Sequence, residues 1–128
     1  MKISVIGCGY LGAVHAASMA ELGHDVVGID VDRPKVEALQ HARAPFYEPG
    51  FEELLGTSLA SGRLRFSTDM ADAADAVVHF VCVGTPQKRG EYAADLRYVE
   101  GAIQSLLPVV MPLYEKAPKP PAAPTARK

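Results

Sequence analysis

The apolar positions of the first forty residues change period three times. Ile3, Val5 and Ile6 form a short β-branched run ended by Gly7, too short for a helix, which predicts a buried strand. From Leu11 the spacing turns helical, with Leu11, Val14, Met19 and Leu22 near one face. Gly23 stands where the last turn would end, so a helix of about twelve residues is expected. Val26, Val27, Gly28 and Ile29 predict a second buried strand stopping at Asp30. Asp32 with Pro34 then marks a helix start that runs through Val36 and Leu39. The order is therefore β-α-β-α.

The stretch from Ala44 to Gly50, Ala-Pro-Phe-Tyr-Glu-Pro-Gly, is expected to be a shaped loop, because each proline removes a donor and restrains the residue before it. A short helix from about Phe51 to Ala60, closed by Gly62, leads to a third strand at Leu64 to Phe66. Ala76 to Val83 is the strongest strand of the chain, apolar enough to be a central parallel strand buried on both faces, and it ends in Gly84-Thr85-Pro86. Asp95 is expected to cap a helix whose apolar face holds Leu96, Val99, Ile103 and Leu106, ending near Leu107. Six of the ten prolines lie in residues 108–128, which predicts a disordered proline-rich tail there and leaves residues 1–107 as the folded part.

Strands alternating with helices imply an α/β fold: a Rossmann-like, doubly wound parallel sheet with right-handed crossovers and strand order 3-2-1-4. A complete sheet of this kind continues beyond its fourth strand. The sheet is therefore expected to be truncated, with one edge open to self-association.

Charge narrows the partners. Residues 1–107 carry fourteen acidic and nine basic side chains, while residues 108–128 carry one and four. An acidic body repels a nucleic-acid backbone, so phosphate recognition must be local, through backbone N–H groups. No apolar run is long enough to span a membrane. The first twenty residues carry glycines and His15 where a signal peptide needs an unbroken apolar stretch, so a cytoplasmic location is expected. Cys8 and Cys82 make neither a disulfide framework nor a metal-ligand spacing, and no metal is expected. Both read as small packed side chains, and His15, His24, His41 and His79 as structural or solvated.

Gly7-Cys8-Gly9-Tyr10-Leu11-Gly12 fits the spacing G-x-G-x-x-G. Gly7 permits the tight turn, Gly9 lets the backbone approach a pyrophosphate, and Gly12 lets the helix pack close to the strand. The phosphates then meet free N–H groups at the positive end of a helix. Chance supplies this spacing in roughly one chain in twenty-five of this length, so the turn alone decides little. Its context decides more: it follows a predicted strand, opens a predicted helix, and has Asp30 closing the second strand 18 residues after Gly12. A carboxylate there can accept both ribose hydroxyls of an adenosine and repels a 2′-phosphate, which favours NAD over NADP. Arg33 is the side chain that could instead hold such a phosphate, acting beside Asp30. Lys35 reads either as reaching the adenosine ribose or as a solvated helix lysine. Thr85 reads either as a hydrogen-bonding residue at the nicotinamide end or as part of a simple turn.

These residues, with Phe46-Tyr47-Glu48-Pro49-Gly50-Phe51-Glu52-Glu53-Leu54-Leu55, Val83-Gly84-Thr85-Pro86 and Asp95-Leu96-Arg97-Tyr98-Val99, give the chain a family likeness. From Met1 to about Leu107 it resembles the N-terminal part of UDP-glucose 6-dehydrogenases, within the UDP-glucose/GDP-mannose dehydrogenase family. The resemblance implies an NAD-dependent oxidation of the sugar's C6 hydroxyl, UDP-glucose to UDP-glucuronate, by two hydride transfers through a thiohemiacetal and a thioester on a cysteine. It also implies NAD contacts at Leu11, Asp30, Lys35 and Thr85, in addition to the glycine turn with Tyr10. The family continues into a fifth strand, a Ser-Thr-Val-Pro turn and a second domain that carries the cysteine and the nucleotide-sugar pocket. Here only Val109-Val110-Met111 is similar to that strand, and Pro112 ends it. The chain alone is therefore expected to be inactive, and no residue of it is assigned a catalytic role. Two other readings stand beside this one. One is a stand-alone NAD-binding or regulatory module that pairs its open edge with another protein. The other is a remnant of a GDP-mannose 6-dehydrogenase, which would differ only in substrate.

Overall fold

The computed structural model describes residues 1–116, Pro118 and Pro121. Four strands, β1 (Lys2–Ile6), β2 (Asp25–Ile29), β3 (Leu64–Ser67) and β4 (Val78–Val81), form one parallel sheet in the order β3-β2-β1-β4. Ile3 pairs with Val26 on one side and Val78 on the other, so β1 is the hub of the sheet. Helices α1 (Tyr10–Glu21), α2 (Arg33–Gln40) and α3 (Phe51–Ala60) pack on one face. A 3₁₀ turn (Met70–Ala73) and helix α4 (Arg97–Lys116) pack on the other. The chain changes face where it passes from β3, at one edge, back to β4 beside β1. That reversal opens a crevice at the C-terminal ends of β1 and β4.

The boundaries of α1 follow from its caps. Gly23, at φ +104°, lets its own N–H reach Ala20 O while that of His24 reaches Met19 O, the paired closure of a glycine-terminated helix. The buried face of α1 differs from the one expected. Gly12, Ala13, Ala16, Ala17 and Ala20 face the sheet, while Leu11 and Leu22 are 69% and 71% exposed. The reason is distance: short side chains let the helix axis sit close to the strands, and Val14 and Met19 pack along its flanks. The other side of the sheet is covered more thinly, by Ala73 and Leu106 over Ile6, Val27 and Ile29.

Two expectations change in the second half of the chain. Helix α4 does not stop near Leu107; it runs 20 residues, through Pro108 and Pro112, and Val109 to Met111 are helical rather than strand-like. Pro108 cannot donate to the carbonyl of Gln104, nor Pro112 to that of Pro108. The two prolines stand four residues apart on an exposed ridge, where water can take the freed carbonyls. Of the expected tail, residues 117, 119, 120 and 122–128 lie outside the described residues. Among the described residues no helix is long and apolar enough to cross a membrane.

The second change is in β4, which is shorter than the expected run and lies at the sheet's edge. All four of its residues are half-buried and Val77 is 64% exposed, because no strand among the described residues pairs with its outer side. On its α4 side, His79 Nδ1 meets the hydroxyl of buried Ser4 at 2.5 Å. Burial holds the His79 imidazole below its ordinary range, partly offset by a backbone hydrogen bond at Ala76. An unfolded chain then binds this proton more readily than the folded one. The contribution is complete above about pH 6.5 and is lost as pH falls through the folded value. Thermal unfolding followed by circular dichroism should show a midpoint that falls between pH 7 and pH 5, and His79→Gln should flatten part of that fall. An unchanged slope in the variant would assign the pH dependence to other groups.

Candidate dinucleotide site

The glycine turn sits where β1 gives way to α1, and each glycine there has a distinct steric position. Gly7, at φ +95°, donates its N–H to Ile29 O at 2.7 Å, and a Cβ on it would meet the Cys82–Val83 peptide at 2.9 Å. This residue locks the turn between β2 and the end of β4. A Cβ at Gly12 would stand 1.8 Å from Gly7 O, so the first turn of α1 touches the backbone of the glycine turn itself. Gly9, the N-cap, has nothing within 4 Å of its Cβ position. Its carbonyl accepts the first intrahelical bond, from Ala13 N at 2.9 Å. The N–H groups of Gly9, Tyr10, Leu11 and Gly12 therefore precede the helix ladder and point outward. An open approach over Gly9 to a set of N–H donors at a helix start fits a pyrophosphate.

Asp30 is tied into the same turn. Its Oδ2 accepts from Cys8 N at 2.8 Å and pairs with Lys35 Nζ at 3.4 Å, and its Oδ1 accepts from Asp32 N at 2.9 Å. Only 10% of its side chain is exposed, in keeping with a carboxylate held by three donors. Lys35 thus reaches the Asp30 carboxylate, and its own N–H is capped by Asp32 Oδ1 at 3.2 Å, with Pro34 in the first turn of α2. The structure brings Gly7, Gly9, Tyr10, Leu11, Gly12, Asp30 and Lys35 together at the ends of β1 and β2. Thr85 is exposed in the turn beyond the end of β4.

Tyr10 has two roles in the architecture that the sequence does not announce. Its hydroxyl donates to Glu48 Oε2 at 2.7 Å, which pushes its phenol pKa up. Its ring meets Phe46 edge-on at 5.1 Å, and Phe46 stacks on buried Phe51 at 5.3 Å. The Ala44–Gly50 loop is thereby fastened to the start of α1. Glu48 is the oxygen end of that fastening.

Beside Asp30 a cleft of about 340 Å³ opens between the sheet and α4. Gly7, Ile29, Asp30, Val31 and Val83 form one side, and Arg97, Tyr98 and Gly101 the other. The α4 residues were not among the expected site residues. The signal available for them was helical spacing, since positions 97, 98, 101, 102 and 105 share one side of a helix following a cofactor-type strand. Neither cysteine adjoins the cleft as a nucleophile. Burial, reinforced by the Asp30 charge, pushes the Cys8 thiol up to about 12, and burial also raises that of Cys82.

A parallel sheet ordered 3-2-1-4, a glycine turn opening its first helix and an acidic residue closing its second strand define a dinucleotide-binding domain of the Rossmann type. Residues 1–112 match the NAD binding domain of the UDP-glucose/GDP-mannose dehydrogenase family, and the chain belongs to that family. It is 45% identical over 107 residues to UDP-glucose 6-dehydrogenase of Rhizobium meliloti (strain 1021), covering 83% of this chain and 24% of the relative. It is 42% identical, over the same shares, to GDP-mannose 6-dehydrogenase of Pseudomonas syringae pv. tomato. The structure of a UDP-glucose dehydrogenase from the hyperthermophilic archaeon Pyrobaculum islandicum superposes with a TM-score of 0.78 at 48% identity, over 82% of this chain and 24% of that one. The chain spans about a quarter of the length of these relatives.

Proposed function

We propose that this chain holds NAD for a nucleotide-sugar dehydrogenase whose substrate is UDP-glucose, oxidised at C6 to UDP-glucuronate with reduction of two NAD. The observation that carries the cofactor half is Asp30, which stands at the end of β2 bound to Cys8 N of the glycine turn. A carboxylate tied to the glycine turn at the end of β2 supports a reading in which it serves the adenosine ribose beside the pyrophosphate. In this reading the outward N–H groups of Gly9, Tyr10, Leu11 and Gly12 take the pyrophosphate. Asp30 accepts the ribose hydroxyls, with Lys35 held beside it, and Thr85 serves the nicotinamide end. UDP-glucose is preferred as substrate because the 45% identical relative is named for it; the 42% identical GDP-mannose enzyme supports the second reading. NAD, when bound, supplies the hydride acceptor. The chain supplies position.

Calorimetric titration of the chain with NAD and NADP tests this. NAD should bind, and NADP should bind at least about tenfold more weakly, because its 2′-phosphate would face the Asp30 carboxylate. Equal affinities would remove Asp30 from the ribose. With UDP-glucose added, the chain by itself should form no NADH at 340 nm, since Cys8 and Cys82 are held as thiols by burial. Absorbance growing at that wavelength would mean that this chain carries a catalytic group of its own.

A further inference from the structure

Arg97, the first residue of α4, is a cation that the structure holds in place. Its Nε donates to both carboxylate oxygens of Asp95 at 3.0 Å, its Nη2 to Oδ2 at 2.6 Å, and its backbone N–H to Oδ1 at 3.1 Å. Asp95 is itself buried and fixed, its N–H donating to Pro86 O at 2.6 Å, which ties the start of α4 to the turn after β4. The Arg97 side chain is 81% exposed, and its guanidinium plane is oriented by this two-oxygen pairing rather than by burial. The pairing also offsets its charge, so what Arg97 offers the cleft is a plane rather than a free cation. Across the cleft stand the apolar side chains of Ile29, Val31 and Val83. One turn further along α4, Gly101 has nothing within 4 Å of its Cβ position, so the wall is open beside the guanidinium. A slot with an apolar side, a planar guanidinium side and a missing side chain suits a flat aromatic ring.

We propose that Arg97, positioned by Asp95, is the residue on which the purine ring of the dinucleotide stacks, and that Gly101 leaves room for that ring. The proposal rests on the reading of this site as an NAD site. Titrating the chain and its Arg97→Ala and Arg97→Lys variants with NAD and with ADP-ribose tests it, circular dichroism confirming that each variant folds. Both variants should bind both ligands about tenfold more weakly, because lysine keeps the charge but lacks the plane. Gly101→Leu should weaken both ligands in the same way by filling the slot, and parental affinity in that variant would overturn the part assigned to Gly101. Parental affinity in Arg97→Ala, or its recovery in Arg97→Lys, would overturn stacking. A loss confined to NAD would place Arg97 at the nicotinamide end and overturn it too. Absence of NAD binding by the unmodified chain would overturn the NAD reading itself, a result distinct from all of these.

Discussion

Gly12→Ala should abolish NAD binding and lower the thermal unfolding midpoint by about 10 °C, from an overpacking cost of about 3 kcal/mol in a domain of this size. The added Cβ would stand 1.8 Å from Gly7 O and 2.9 Å from Gly7 C, both backbone atoms with nowhere to turn. Relief requires α1 to lift from the sheet. That movement separates Ala13, Ala16, Ala17 and Ala20 from the strands they pack against, and shifts the N–H groups of the helix start. Gly9→Ala is the matched comparison. Gly9 has φ −70° and ψ −163°, extended backbone open to any residue, and nothing lies within 4 Å of its Cβ position. Its methyl should leave the melting curve unchanged while obstructing the approach of the pyrophosphate. Circular dichroism melts and NAD titration of the two variants separate the glycine needed for packing from the one needed for binding. A Gly12→Ala protein with the parental midpoint and affinity would refute the close contact between turn and helix.

Asp30→Ala should weaken NAD binding by roughly 10- to 100-fold, the effect of removing hydrogen bonds to a charged acceptor worth about 1.5–3 kcal/mol. Three donors lose their partner at once: Cys8 N, Asp32 N and Lys35 Nζ. The loss is therefore partly of the ribose contact and partly of the turn's own shape, and Asp30→Asn divides the two. Asparagine retains one acceptor for the turn but carries no charge to repel a 2′-phosphate. Its NAD affinity should fall less than that of the alanine variant, while the preference for NAD over NADP should narrow. Calorimetry with both dinucleotides on both variants measures this, and unchanged NAD affinity in Asp30→Ala would sink the assignment of the carboxylate to the adenosine ribose.

The parts of the site that the sequence makes legible are those governed by backbone conformation. Gly7, Gly9 and Gly12, with Asp30 behind β2, act through φ angles, clearances and chain reversal, and spacing alone carries such information. The sheet order was legible for a similar reason, since alternation of strands and helices leaves few right-handed windings. What the hydrophobic pattern misplaced depends on distance between elements. It assigned the buried face of α1 to its large apolar residues, whereas close approach to the sheet selects Gly12 and the alanines. It also treated Ala76–Val83 as a strand enclosed on both sides, although residue type records suitability for burial and not whether neighbours are present. Pro108 and Pro112 misled in the opposite sense: a helix can carry them on a wet ridge, and only the tertiary position of α4 shows which ridge is wet. Arg97 stands inside a motif the sequence displays, but its pairing with Asp95 and the wall across from it are tertiary contacts that spacing does not show.

Cys8 gives the site a chemical durability that its position in the middle of a phosphate turn would not suggest. With its thiol pushed up to about 12 by burial and its side chain fully buried, Cys8 carries almost no thiolate at neutral pH. Sulfenic acid formation and alkylation both begin from that thiolate and need room beside the sulfur. A Cβ on Gly28 would meet this sulfur at 3.0 Å, a measure of how little room there is. The glycine turn is thus built around a cysteine that peroxide and electrophiles reach only when the fold opens.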